Sequence, residues 1–176
     1  MTPSKNPSTS TNVYAVDKLI SEARRIAADY RRATGKSLAI SGEIATHDAC
    51  SQLNLEAVEE QGAGYDAIGR GEREGLRIQI KGRAIFDEAK KGQRIGQIKL
   101  DQDWDCIILV LMDDNFESDS MYEANRVEIM AALDDAADSS RTKRGAMSVA
   151  RFKNIARQVW NRDEGTLHDE LWDNQS

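Results

Sequence analysis

Cys106-Ile-Ile-Leu-Val-Leu-Met112 is a run of seven apolar residues with no alternation. A strand carries such a run only where both of its faces are covered, so the segment predicts the middle strand of a sheet held between two layers. It is also the longest apolar run in the chain, far short of the ~20 residues that span a bilayer as a helix. No membrane association is expected. Leu76-Arg-Ile-Gln-Ile-Lys81, in contrast, alternates strictly. With a period of two, Leu76, Ile78 and Ile80 face one side of a sheet and Arg77, Gln79 and Lys81 the other.

Helical spacing surrounds these strands. Val16, Leu19, Ile20, Ala23, Ile26, Ala27 and Tyr30 recur at i, i+3, i+4 and i+7, which predicts an amphipathic helix ending near Gly35 with that stripe inward. Ser41 reads as the N-cap of a second helix, with Ile40 as its hydrophobic staple, Glu43 in the first turn and Ile44, Ala45, Ala49 and Leu53 as its buried face. Residues 55–60 and 65–68 read as short extended pieces, and the glycine-bounded stretch 69–75 as a polar turn. A strand is expected over 120–123 and a helix over 126–137. Ser148 then caps a last helix with Val149, Phe152, Ile155, Ala156 and Val159 inward.

This order predicts an α/β fold with a central mixed sheet flanked by helices. Residues 1–12, rich in Ser, Thr, Asn and Pro, read as a disordered tail, 13–162 as one domain and 163–176 as a polar C-terminal tail. The N-terminus has no apolar signal region, so a cytoplasmic location is expected. Cys50 and Cys106 each sit in an apolar periodic segment and read as free, buried thiols. Neither a glycine-rich dinucleotide fingerprint nor a phosphate-binding Gly-Lys-Ser/Thr loop occurs, because the glycines at 69, 71 and 75 lie between two strands.

The formal charge is −6, but it is unevenly spread. Nine basic residues against four acidic ones lie between Arg70 and Lys99, and seven basic with no acidic between Arg141 and Arg162. The stretch from Asp101 to Asp138 holds twelve carboxylates against Arg126 alone. A protein with one positive surface and a negative back is one reading, ordinary solvated faces the other. The acidic stretch around Asp113, Asp114, Glu117 and Asp119 would suit a basic partner.

If 65–68 and 76–81 pair as a hairpin, Asp66 lies near Gln79 and Lys81. The Asp66 carboxylate and the Gln79 amide oxygen, helped by the Ile80 carbonyl, are hard donors of the kind that magnesium accepts while keeping several waters. Lys81 beside them is placed to orient a water or to neutralise charge growing on a phosphate. The alternative reading of Gln79 and Lys81 is the solvent face of an edge strand, where lysine guards against aggregation. His47, one turn after Glu43, shares its helical face, and Tyr65 stands next to Asp66.

Asp66 followed by Gln79-x-Lys81, preceded by a helix bearing Glu43, resembles the PD-(D/E)xK nuclease superfamily. Ser41-Gly-Glu-Ile-Ala45, Gly64-Tyr-Asp66, Ile78-Gln-Ile-Lys-Gly82, Met121-Tyr-Glu-Ala124 and Gly145-Ala-Met-Ser-Val-Ala-Arg-Phe-Lys153 further resemble a family of small bacterial proteins of nuclease-like fold, over about residues 14–160. The resemblance implies a restriction-endonuclease-like core and magnesium- or manganese-dependent cleavage of nucleic acid, DNA above all, in restriction, repair or phage defence. Glu43, Asp66, Gln79 and Lys81 would be catalytic, with Glu43, Asp66 and Gln79 on the metal. The basic residues Arg83, Lys143, Arg144, Arg151, Lys153 and Arg157 would contact phosphates, and a homodimer would cut two strands. Two positions depart from the pattern. Tyr65 replaces the proline, and Gln79 replaces the usual carboxylate, which keeps the oxygen but removes a charge. Restriction enzymes acting on modified DNA look similar at that position. A nuclease fold that has lost catalysis and binds nucleic acid or a protein is the alternative.

Overall fold

A computed structural model of the chain describes residues 13–60, 62–90, 92–135 and 145–168. The expected tail over 1–12 lies outside the described residues. Helices α1 (Val13–Thr34) and α2 (Ser41–Leu53) come first, followed by strands β1 (Leu55–Ala57), β2 (Ala67–Gly69), β3 (Arg77–Ala84), β4 (Arg94–Gln97), β5 (Cys106–Met112) and β6 (Ser118–Asn125). Helix α3 (Arg126–Asp134), β7 (Ala146–Ser148), α4 (Val149–Ile155), β8 (Arg157–Asn161) and β9 (Gly165–Thr166) complete the order. Seven strands form one sheet in the order β1-β2-β3-β5-β6-β8-β9, while β4 and β7 pair separately. Only β3 and β5 run parallel in the large sheet, so it is mixed.

β5 occupies the centre, as its apolar run requires, and every residue of it is buried. Its even and odd positions feed two cores. Cys106, Ile108, Val110 and Met112 pack with Ile44, Ala45, Ala49, Ile78 and Ile80 under α1 and α2. Ile107, Leu109 and Leu111 pack with Ile95, Ile98, Trp104, Ile129 and Phe152 under α3, α4 and the β4–β7 ribbon. Each fully buried aliphatic side chain contributes about 1.5–3 kcal/mol relative to exposure, so the double-faced strand is the main source of cohesion. Both cysteines are free thiols. Burial, with Asp66's charge, pushes Cys50 up to about 11, and burial, with Glu123's charge, pushes Cys106 up to about 12.

Several local expectations change. Ser41 is the first residue inside α2 and not its cap; Ile40 holds the cap position without a side-chain hydrogen bond, so it caps where a staple was expected. Ser148 does cap α4, its hydroxyl accepting from the Arg151 amide, but the helix stops at Ile155. Val159, expected on that helix, lies in β8 instead, because Ala156 turns extended and the chain rejoins the sheet beside β6. β9 then pairs with β8, so the sheet continues into the segment that reads as a polar tail. The stripe on α1 does not all turn inward: Ala27 and Ala28 are buried, whereas Leu19, Ile26 and Tyr30 are exposed. Among the described residues no helix is long and apolar enough to cross a membrane.

Candidate functional site at the edge of the third strand

β2 is three residues long and β3 eight, so β3 runs on with a free edge once β2 has diverged. Asp66 stands at that divergence. Its amide donates to the Ile78 carbonyl (2.8 Å), and its Oδ2 accepts from the Ile80 amide (2.8 Å). The residue is thus pinned to β3 on both sides of Gln79, and the carboxylate replaces the ladder bond that β2 no longer supplies. It is the Ile80 amide, not its carbonyl, that faces the carboxylate.

Gln79 is 1 % exposed. Its Nε2 donates to the Lys99 carbonyl at 3.5 Å, the limit of a hydrogen bond, and that carbonyl already accepts from Trp104 Nε1 (2.7 Å). Its Oε1 has no partner, and among the described residues it is the one buried side-chain polar atom so placed. Lys81, two residues on and on the same face, donates from Nζ to the Gln97 carbonyl (2.8 Å). Burial lowers its pKa, Asp66 opposes that shift, and Lys99 and Arg83 add to it. Arg83 completes the row, with Nε on the Arg94 carbonyl (2.5 Å) and Nη1 on the Gly82 carbonyl (2.6 Å). Gln79, Lys81 and Arg83 therefore donate in turn to three carbonyls of the 94–99 segment, which lies over them as a cover.

Glu43 sits apart. α2 packs on the face of β3 that carries Ile78 and Ile80, opposite to Gln79 and Lys81. Gly82 lets the helix start come close: a Cβ there would stand 2.6 Å from the Ser41 carbonyl oxygen and from Ala45 Cβ. Glu43, in the first turn of α2, is exposed and makes no hydrogen bond or ion pair with other described residues. Asp66 is the group that spans the two faces, since its charge acts on Lys81 and also on Cys50 of α2. His47 is drawn away, its Nε2 lying 3.1 Å from Asp17 of α1. Tyr65 is half-buried against the α3–α4 core.

Of the four expected phosphate contacts among the described residues, the three arginines are engaged with the protein itself. Arg151 donates to the Ala132 carbonyl near the end of α3, and Arg157 lies 3.3 Å from Glu123. Lys153 is exposed, its ammonium 5.2 Å from the centre of the Tyr122 ring. Lys143 and Arg144 lie outside the described residues. Missed from sequence is the buried pair Arg73–Glu123, which joins the turn before β3 to β6 across fifty positions and has no local signature.

Asp66 and Gln79 together offer one carboxylate and one neutral oxygen, hard donors that suit a weakly held magnesium or manganese ion. Among the described residues no three His, Cys, Asp or Glu side chains gather, so a tight site built from such ligands alone is not what this edge offers. The sequence matches no protein-family model and no curated protein.

Proposed function

We propose that the chain is a metal-dependent endonuclease-like protein with a restriction-endonuclease-like core, hydrolysing phosphodiester bonds of nucleic acid, DNA above all. The observation that carries the reading is the orphaned Gln79 Oε1 on a strand to which Asp66 is bonded at the residues on either side, its amide to the Ile78 carbonyl and its carboxylate to the Ile80 amide. A buried acceptor without a donor costs about 1–3 kcal/mol, a cost a fold retains where a ligand repays it. Asp66 and Gln79 would hold the ion, with waters completing its shell in place of Glu43, which lies with α2 on the other face of β3. When bound, a divalent ion polarises the phosphate and acidifies a water. Asp66, with one oxygen anchored by the Ile80 amide, keeps its orientation while the other stays available. Lys81 presents a partly desolvated amine, placed to orient a water or, as an ammonium, to offset charge on the phosphate once it leaves the Gln97 carbonyl.

Purified protein with magnesium or manganese is expected to nick supercoiled DNA, and Asp66→Asn and Lys81→Met to lose nicking while keeping the wild-type circular dichroism. Cleavage surviving both substitutions refutes the site. The engagement of Lys81 and Arg83 with backbone carbonyls favours a second reading, a nuclease-like fold that binds without cutting. Salt-sensitive DNA binding that is indifferent to metal, with no cleavage, would select it.

A further inference from the structure

Helix α1 presents three faces. Ala27 and Ala28 are buried against the body, with Arg24 bonded to Asp48 and Arg31 stacked 3.5 Å over the Phe86 ring. A second face carries Val16, Leu19, Ala23, Ile26, Tyr30 and Ala33, spaced 3, 4, 3, 4, 3. Leu19, Ile26 and Tyr30 are 62 %, 52 % and 38 % exposed. That spacing is the heptad seam of a coiled coil, which a single helix on a globular body does not need. The third face carries Lys18, Glu22, Arg25, Asp29 and Arg32, alternating in sign, with Asp29 3.6 Å from Arg25 and 3.3 Å from Arg32.

We propose that this seam pairs with the same helix of a second copy, antiparallel, about a two-fold axis between Ala23 and Ile26. The layers are then Val16 on Ala33, Leu19 on Tyr30 and Ala23 on Ile26, three on each side of the axis. The orientation follows from the charges. Running antiparallel, Lys18 of one copy comes beside Asp29 of the other and Glu22 beside Arg25, within an axial offset of ~3 Å that the long basic side chains span. A parallel pair brings like positions to one level and gains no such ion pairs. The chain's own first twelve residues are a poor cover, being polar apart from Met1 and two prolines. α1 is 22 residues long, ~33 Å of helix, which puts the contact at the small end of specific interfaces and the dimer in the micromolar range.

Sedimentation equilibrium is expected to show a concentration-dependent dimer, with Leu19→Glu and Ile26→Glu each weakening it at least tenfold at unchanged circular dichroism. In a Cys50→Ala background, Val16→Cys mixed with Ala33→Cys is expected to crosslink under mild oxidation, while neither crosslinks alone. Self-crosslinking of each single variant without mixed product means a parallel pair and overturns the orientation. A monomer at all concentrations, in which removal of residues 1–12 or 169–176 exposes the seam, means that the chain covers itself and overturns the proposal.

Discussion

Replacing Gln79 by Met should stabilise the protein in the absence of metal. The side chain is sealed between β3 and the 94–99 segment with Oε1 unpartnered, so the amide is desolvated without full return. Its removal relieves a penalty of about 1–3 kcal/mol. The bond lost is the 3.5 Å contact to the Lys99 carbonyl, worth at most about 0.5 kcal/mol at such a length. Nothing is orphaned by that loss, since Trp104 Nε1 still donates to the same carbonyl. Methionine has similar volume and flexibility and bridges the neighbouring Ile95–Ile98 core, so overpacking stays small. The net gain is about 1 kcal/mol, or roughly 2–4 °C in Tm for a chain of this size. Thermal unfolding in EDTA reads it directly. With magnesium the order should invert, the wild type rising in Tm and the variant not, because only the native side chain offers the oxygen. A Gln79→Met protein that is less stable in EDTA than the wild type refutes the reasoning, since the oxygen must then already be satisfied.

Lys81→Met tests the buried ammonium. Burial lowers the folded pKa below the unfolded 10.5, so the unfolded chain holds more protons between the two values and wild-type stability should rise as pH climbs through that window. Urea unfolding of the variant should lack that rise, and an identical profile would mean that the amine is freely solvated. Gly82→Ala places a methyl 2.6 Å from both the Ser41 carbonyl and Ala45 Cβ, and should cost about 1–3 kcal/mol by forcing α2 away from β3. A midpoint in urea equal to the wild type's would show that the helix start is free to move.

The parts of the fold that could be read in the sequence are those where one periodicity has no rival. β5 is apolar throughout and can only be central, and β3 alternates so cleanly that Gln79 and Lys81 fall on one face with Asp66 beside them, as the structure has it. Where two periods coexist, reading fails. Val159 fits a continuing helix and a strand alike, and pairing of its segment with β6 decides for the strand. On α1, the i, i+3, i+4 pattern merges a body face with an outward seam, because both are apolar and adjacent. β4 was invisible, since Arg94-Ile-Gly-Gln97 has one buried apolar residue and a glycine at φ +96°. The cover it forms over Gln79, Lys81 and Arg83 depends on backbone carbonyls, which no side-chain pattern encodes.

That cover is the weakest part of the candidate site. β4 meets β7 at only two registered pairs, Arg94 with Ser148 and Gln97 with Ala146, with an irregularity between them. Apart from the buried Ile95 and Ile98, its hold on the sheet comes from the carbonyl bonds accepted from Lys81 and Arg83, each worth about 1.5–3 kcal/mol as a bond to a charged donor. Gly96 sits between those two bonds at a positive φ, and a Cβ there would stand 2.8 Å from the Arg83 guanidinium. Gly96→Ala should strain the backbone by about 1 kcal/mol or more and push the Arg83 side chain off its carbonyl. The segment should then lift and release Lys81, while the core of β5 under α1 and α2, to which β4 contributes no side chain, stays folded. Labelling with an amine-reactive reagent, read by mass spectrometry against exposed Lys153 as internal standard, should show Lys81 modified several-fold faster in the variant. An anion that binds Lys81 and Arg83 in the wild type competes for the same donors as the carbonyls and should produce the opposite pattern, a lifted strand with Lys81 still protected. Unchanged labelling of Lys81 in a Gly96→Ala protein whose thermal stability has fallen would show that the strain is absorbed elsewhere and that the carbonyls do not hold the lysine in place.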